Sequence, residues 1–201
     1  MNFSNKLPTR QILVILLPGF YLILFLADLY SRLFPNGDFI NFSSQFTVLL
    51  TTILSLSVGI LVYIADIPKK IWFFKSKLPT TRIKKDFQLS PNLSSIYNSY
   101  FKYYDGLSQA QRVKTDELTT LFHVCINLVV VSIITLIITM CFDIKKCVPP
   151  IFYCISIILL ILNVLGSLGV FFGKGRVSEL FERQYQGFKK SEDFAKLKNE
   201  S

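Results

Sequence analysis

A single histidine stands in the 201-residue chain, and it sits inside an apolar run. His123 lies four residues before Asn127, which puts both on one face of a helix. Asn163 interrupts a second apolar run and Ser55 a third. A carboxamide in hydrocarbon is costly unless it finds a partner or water. Two readings follow. Asn127 and Asn163 join by a hydrogen bond between two helices, or His123, Asn127, Asn163 and Ser55 line a narrow polar path or gate. In the second reading, protonation of His123 would bias opening near its ordinary pKa of ~6.5. No chain of carboxylates crosses the apolar runs, which disfavours a proton or cation pump with its own ion site.

Catalytic patterns are near-misses. Asp105-Gly106-Leu107-Ser108-Gln109-Ala110-Gln111-Arg112 resembles the opening of the motif of CDP-alcohol phosphatidyltransferases. The alanine and arginine are misplaced, and the later aspartates that would converge on metal ions are missing. Gly166-Ser167-Leu168-Gly169 resembles the serine loop of rhomboid-type proteases, with His123 as the available base. Those proteases use a larger bundle, and helix packing explains the glycines better. No CxxC, His/Cys cluster, P-loop or GxGxxG is present, so no catalytic residue, metal or cofactor is assigned. Cys141 and Cys147 flank a short turn; a disulfide between them is one reading, two small apolar residues the other.

Composition sets the medium in which these groups work. Charged residues are 17% and hydrophobic residues 51% of the chain, and mean hydropathy is +0.46. Four segments carry the ~20 apolar residues a helix needs to cross ~30 Å of hydrocarbon. They are 11–30, 46–67, 119–141 and 148–172. The expected fold is an all-α membrane protein with four transmembrane helices and a small helical cytoplasmic layer. Its parts are an N-terminal pair of spans (1–67), a basic, aromatic segment (68–118), a hairpin of spans (119–172) and an amphipathic tail (173–201). The first span is too long for a typical signal core and lacks a cleavage site after it.

Basic residues orient the spans. Two precede span one, ten lie between spans two and three, and seven lie in the tail, against three on the other side. Both termini are expected in the cytoplasm. After span two, Lys69, Lys70, Trp72, Phe73, Phe74 and Lys75 alternate charge with aromatics, the pattern of an anchor in the headgroup layer. Ser90-Pro91 has the form of a helix start. Leu93, Ile96, Tyr97, Tyr100, Phe101 and Tyr104 then make one helical stripe, either packed inside or docking a partner. Asp105-Gly106 reads as a stop, with glycine suited to the left-handed C-terminal position. Ser108 and Gln111 have capping-box spacing and start a helix expected to run unbroken over 109–141. Val177, Leu180, Phe181, Tyr185 and Phe188 form a second stripe in the tail.

Small residues mark close helix approaches: Thr51, Ser55 and Gly59 in span two, Gly169 and Gly173 at the inner end of span four. They serve intrachain packing or contact between copies. The layout as a whole resembles small membrane effectors and accessory proteins of bacterial antiviral systems. That likeness implies a multi-pass protein of a bacterial inner membrane.

The leading expectation is a non-enzymatic, self-associating membrane effector or gated pore controlled through its cytoplasmic layer. Its partners would be membrane lipids with anionic headgroups, further copies of itself, and a cytoplasmic protein or nucleotide signal. Positive-inside topology accounts for the basic surplus, so charge argues only weakly for nucleic acid. An adaptor that docks a soluble partner is the alternative, and an intramembrane enzyme acting on lipid or peptide the third.

Overall fold

A computed structural model describes residues 7–33, 52–57, 59–61, 65, 67–87, 93–141 and 150–199. Among them the chain is helical, with no strand. In order come α1 (Leu7–Leu33), a helical stretch at 52–61, α2 (Ile67–Lys70), α3 (Trp72–Lys77), α4 (Pro79–Asp86) and α5 (Leu93–Asp105). They are followed by α6 (Gln109–Cys141), α7 (Pro150–Phe171), α8 (Val177–Lys189) and α9 (Glu192–Asn199).

Two of these helices are long and apolar enough to cross a membrane, within Gln109–Met140 and Tyr153–Phe171. Only 39% and 22% of their apolar windows are buried within the chain. A core helix of a soluble protein buries most of its apolar surface, whereas these two leave most of theirs uncovered by the described residues. The other apolar helices, Val14–Ala27 inside α1 and Thr52–Leu61, are shorter. The beginning of the expected second span, the start Ser90-Pro91 and the Cys141–Cys147 pair lie outside the described residues or side chains.

The chain divides into two compact units. The apolar unit comprises 1–67 and 120–167, and the basic unit 68–119 and 168–201. In the apolar unit, Leu22, Phe25 and Leu29 of α1 bury against Val131 of α6. Gly19 of α1 meets the backbone of Ser55 and Gly59, and Gly59 meets that of Ile15. A Cβ added at either glycine would overlap a neighbouring carbonyl. Here small residues let two helix backbones touch.

The basic unit carries seventeen basic and nine acidic residues around an aromatic core. Ile83, Phe87, Ile96, Tyr100, Tyr185, Phe188 and Phe194 converge there from α4, the residue after it, α5, α8 and α9. In α8 the buried set Val177, Phe181, Tyr185 and Phe188 follows the 3- and 4-residue steps that wrap one helix face. Ser108 accepts the backbone N–H of Gln111 at 3.4 Å where α6 begins. Gly106 does not take the left-handed conformation expected of it. Its N–H instead bonds to the carbonyls of Lys102 and Tyr103, closing α5 with an ordinary turn. The left-handed positions are Gly173 (φ 117°) and Gly175 (φ 72°), which turn the chain from α7 into α8.

Candidate functional site

Helical geometry decides where the polar residues of the apolar unit point. Thr135 of α6 donates its hydroxyl to Ser156 of α7 at 3.2 Å. A Cβ on Gly166 would sit 3.4 Å from Cys125. Both pairs belong to one antiparallel register, in which Asn127 lies level with residue 164. The depth match with Asn163 is therefore sound, but the faces differ. Residues two apart on a helix point ~200° apart, so with Cys125 turned to α7, Asn127 turns away from it.

Asn127 donates instead to the carbonyl of Val14 on α1 at 3.5 Å and is 2% exposed, its carboxamide oxygen without a protein partner. Asn163, half-buried, donates to Leu159 of its own helix at 2.8 Å. The two amides do not bond to each other. Ser55 is buried at the Gly19 crossing, and His123 is half-buried beside Phe122. Ser55 and Asn127 sit at two different contacts of α1, while Asn163 bonds within its own helix and His123 lies against Phe122 of its own.

A different polar string occupies this unit. The Tyr21 and Ser156 hydroxyls lie 2.7 Å apart, Ser156 accepts from Thr135, and Thr135 also donates to the carbonyl of Ser132 at 2.8 Å. The string ties α1, α6 and α7 together, with hydrogen bonds worth about 0.5–1.5 kcal/mol each. Its members were visible as hydroxyls inside apolar runs. A hydroxyl can bond back to its own helix, so its place in an apolar run carries a weaker signal than an amide's. Such a string holds helices together; hydroxyls bonded to one another supply no acid–base pair. Ser167 of the protease-like run donates to Val164 of its own turn at 2.8 Å.

Among the small residues, a Cβ added at Gly169 would meet no described residue within 4 Å, and Gly173 lies beyond the end of α7. Among the described residues these two meet no second helix, unlike Ser55 and Gly59. Thr51 lies outside the described residues.

In the basic unit the expected anchor and docking stripe are largely consumed by the core. Phe74 is buried against Phe171 and Phe181, with ring centroids at 5.7 and 5.8 Å. Ile96 and Tyr100 are buried, Tyr97 and Tyr104 half-buried, and Phe101 exposed. An amphipathic stripe looks the same in sequence whether it meets its own chain or a partner, and here a core formed of α4, α8 and α9 covers it. Asp105 is exposed, 4.0 Å from Arg112. Among the described residues no group of three His, Cys, Asp or Glu is placed to share a metal ion.

Charged and aromatic groups fasten α4 to α8. Arg82 meets Glu182 at 2.5 Å, and its guanidinium lies 5.3 Å from the centre of the Tyr185 ring. Lys189 stands 3.8 Å from Asp86 and 5.4 Å from the same ring. Tyr185 donates its hydroxyl to Asp86. The Gln186 carboxamide and the Arg82 guanidinium hold Glu182 below the usual carboxylate range. At the start of α8 the backbone N–H of Gly175 and then Arg183 do the same for Glu179. Gln184, buried among these aromatics, donates to Thr115 of α6 at 2.9 Å within the unit.

Burial first, and the Asp86 carboxylate second, push the Tyr185 hydroxyl from about 10 up to about 12. The folded state thus favours the neutral phenol. Its contribution is complete below pH ~10 and is lost between pH ~10 and ~12 as the phenol ionises. Alkaline titration followed by circular dichroism should show the basic unit weakening across that window. Tyr185→Phe should flatten this part of the slope, at a cost of about 1 kcal/mol at neutral pH, because Asp86 stays partly solvated.

No family model, no curated protein and no solved structure matches the chain.

Proposed function

We propose that the chain is a four-span, non-enzymatic membrane protein with both termini in the cytoplasm. It self-associates, and the basic unit, as the cytoplasmic layer, receives a signal to which the spans respond by opening or perturbing the membrane. The observation that carries this reading is α7. Its apolar residues Ile158, Ile161, Leu162 and Leu165 are exposed, and Asn163 stands half-buried among them. Aliphatic side chains facing lipid need no partner, but the Asn163 carboxamide, which gives one N–H to Leu159, has a second N–H and an oxygen still to satisfy. A second copy supplies partners at least cost. In this reading an aqueous path would form between copies, along the face of α7 that carries Asn163.

Asn163→Val tests this. With an interhelical hydrogen bond worth roughly 0.6–2 kcal/mol in lipid, the association constant of the purified protein should fall about 3- to 30-fold. Size in detergent gives the first readout, and ion or dye leakage from liposomes under candidate stimuli the second. A parent protein that is strictly monomeric and passes neither ions nor dye overturns the reading. The adaptor alternative is supported by Phe101, the one exposed aromatic of the α5 stripe. A monomeric, non-conducting chain that captures a soluble partner through Phe101 would favour it.

A further inference from the structure

We propose that the face of α2 and α3 carrying Lys70, Trp72 and Lys75 is a docking surface for the headgroups of anionic phospholipids. The inference rests on the proposed entry of α7 into the membrane. Trp72 is 82% exposed, although it is the bulkiest side chain the sequence contains. Its neighbours are not. Phe73 stacks on Phe171 and Phe172 at 5.1 and 5.7 Å, and Phe74 is buried on Phe171. These rings fix α3 at the end of the apolar α7, with the indole left outside the cluster they form. Phe172 is itself exposed, and Lys70 and Lys75 are exposed beside Trp72 in the sequence.

Charge selects the occupant. Residues 68–85 hold seven lysines and arginines and no acidic residue. Arg82 pairs with Glu182 of the tail, and Lys77 lies near the same carboxylate. A solvent-facing indole without partner is unfavourable, whereas the headgroup layer accepts an aromatic body among acyl chains and ammonium groups among phosphates. A zwitterionic lipid would satisfy the indole alone. The exposed lysines Lys70 and Lys75 beside the indole favour net negative headgroups.

Trp72 is the sole tryptophan, so fluorescence of the intact chain reports this face and nothing else. The full-length protein is reconstituted in phosphatidylcholine–phosphatidylglycerol vesicles, with brominated acyl chains placed on one lipid or on the other at equal mole fraction. Brominated phosphatidylglycerol should quench the emission several-fold more efficiently. Lys70→Gln with Lys75→Gln should reduce the preference, by up to about five-fold for each lysine. Molar salt, which shortens the screening length to ~3 Å, should reduce it without any variant. Equal quenching by the two brominated lipids overturns the proposal, as does an absence of quenching by either in protein that floats with the vesicles. Protein that does not enter vesicles at all overturns the membrane reading as well, so the two failures are distinguishable.

Discussion

Phe188→Ala should unfold the basic unit or leave it barely stable, with a loss of about 3–5 kcal/mol. The ring is fully buried and meets Tyr100, Tyr103 and Phe194 at centroid distances of 5.4, 5.7 and 5.5 Å. These partners come from α5 and α9, while Phe188 belongs to α8, so a single truncation opens a cavity where three helices meet. Domains are stable by only ~5–15 kcal/mol, so a loss of this size removes a large fraction. Limited proteolysis of the whole chain in detergent provides the measurement. New cleavage should appear within 68–119 and 177–199, with the apolar helices still protected. Phe101→Ala, on an exposed position of α5, should remain within about 0.5 kcal/mol of the parent. A Phe188→Ala protein as resistant as the parent would mean that the aromatic core does not hold this unit together. The pair of variants also separates two roles of the proposed signal-receiving layer, since Phe188 supports its fold and Phe101 its surface.

The contrast between those two aromatics shows what the sequence could and could not reveal. The stripes on α5 and α8 were legible because burial on one helix face imposes a 3- to 4-residue period. What covered each stripe was not, because a period carries no information about the covering partner. Phe74 illustrates the difficulty. Lysines alternating with aromatics at the end of an apolar segment suit lipid headgroups and an aromatic core equally, and the structure divides them, with Phe74 inside and Trp72 outside. The start of α6 was legible from Ser108 and Gln111, whose local hydrogen bond needs no tertiary context.

Helix α9 escaped notice although Ser191, followed by Glu192 and Asp193, has the form of a capped start; Ser191 accepts the N–H of Phe194 at 3.4 Å. Counting residues along antiparallel helices gave the depth of Asn127 and Asn163 correctly. Their direction around each helix depends on which neighbour each face meets, and that is a tertiary property. Gln184 was invisible for a related reason: a glutamine in a charged helix reads as solvated until its partner Thr115 is known.

Gly59→Ala and Gly169→Ala should behave oppositely, although the two glycines look equivalent in sequence, each in a four-residue repeat of small residues. At Gly59 the added methyl would overlap the backbone carbonyl of Ile15, so α1 and the 52–61 stretch must separate. Backbone cannot rotate aside as a side chain does, and such overpacking costs ~1–3 kcal/mol, sometimes more. Separation also disturbs the crossing at Gly19 and the neighbouring contact of Val14 with Asn127, so the loss should lie at or above the upper end of that range. At Gly169 the same methyl meets nothing within 4 Å among the described residues. There the higher helix propensity of alanine should leave stability unchanged or raise it by up to about 1 kcal/mol.

Thermal unfolding in detergent, read by circular dichroism and by accessibility of Cys125, which is buried in the same unit, compares the two. Equal melting of both variants would show that α1 and the 52–61 stretch are not in backbone contact. If Gly169→Ala keeps its melting temperature but loses self-association, the open space at Gly169 is where a second copy's helix approaches. If it keeps both, the contact between copies proposed through α7 must run along the face that carries Asn163 without using this glycine.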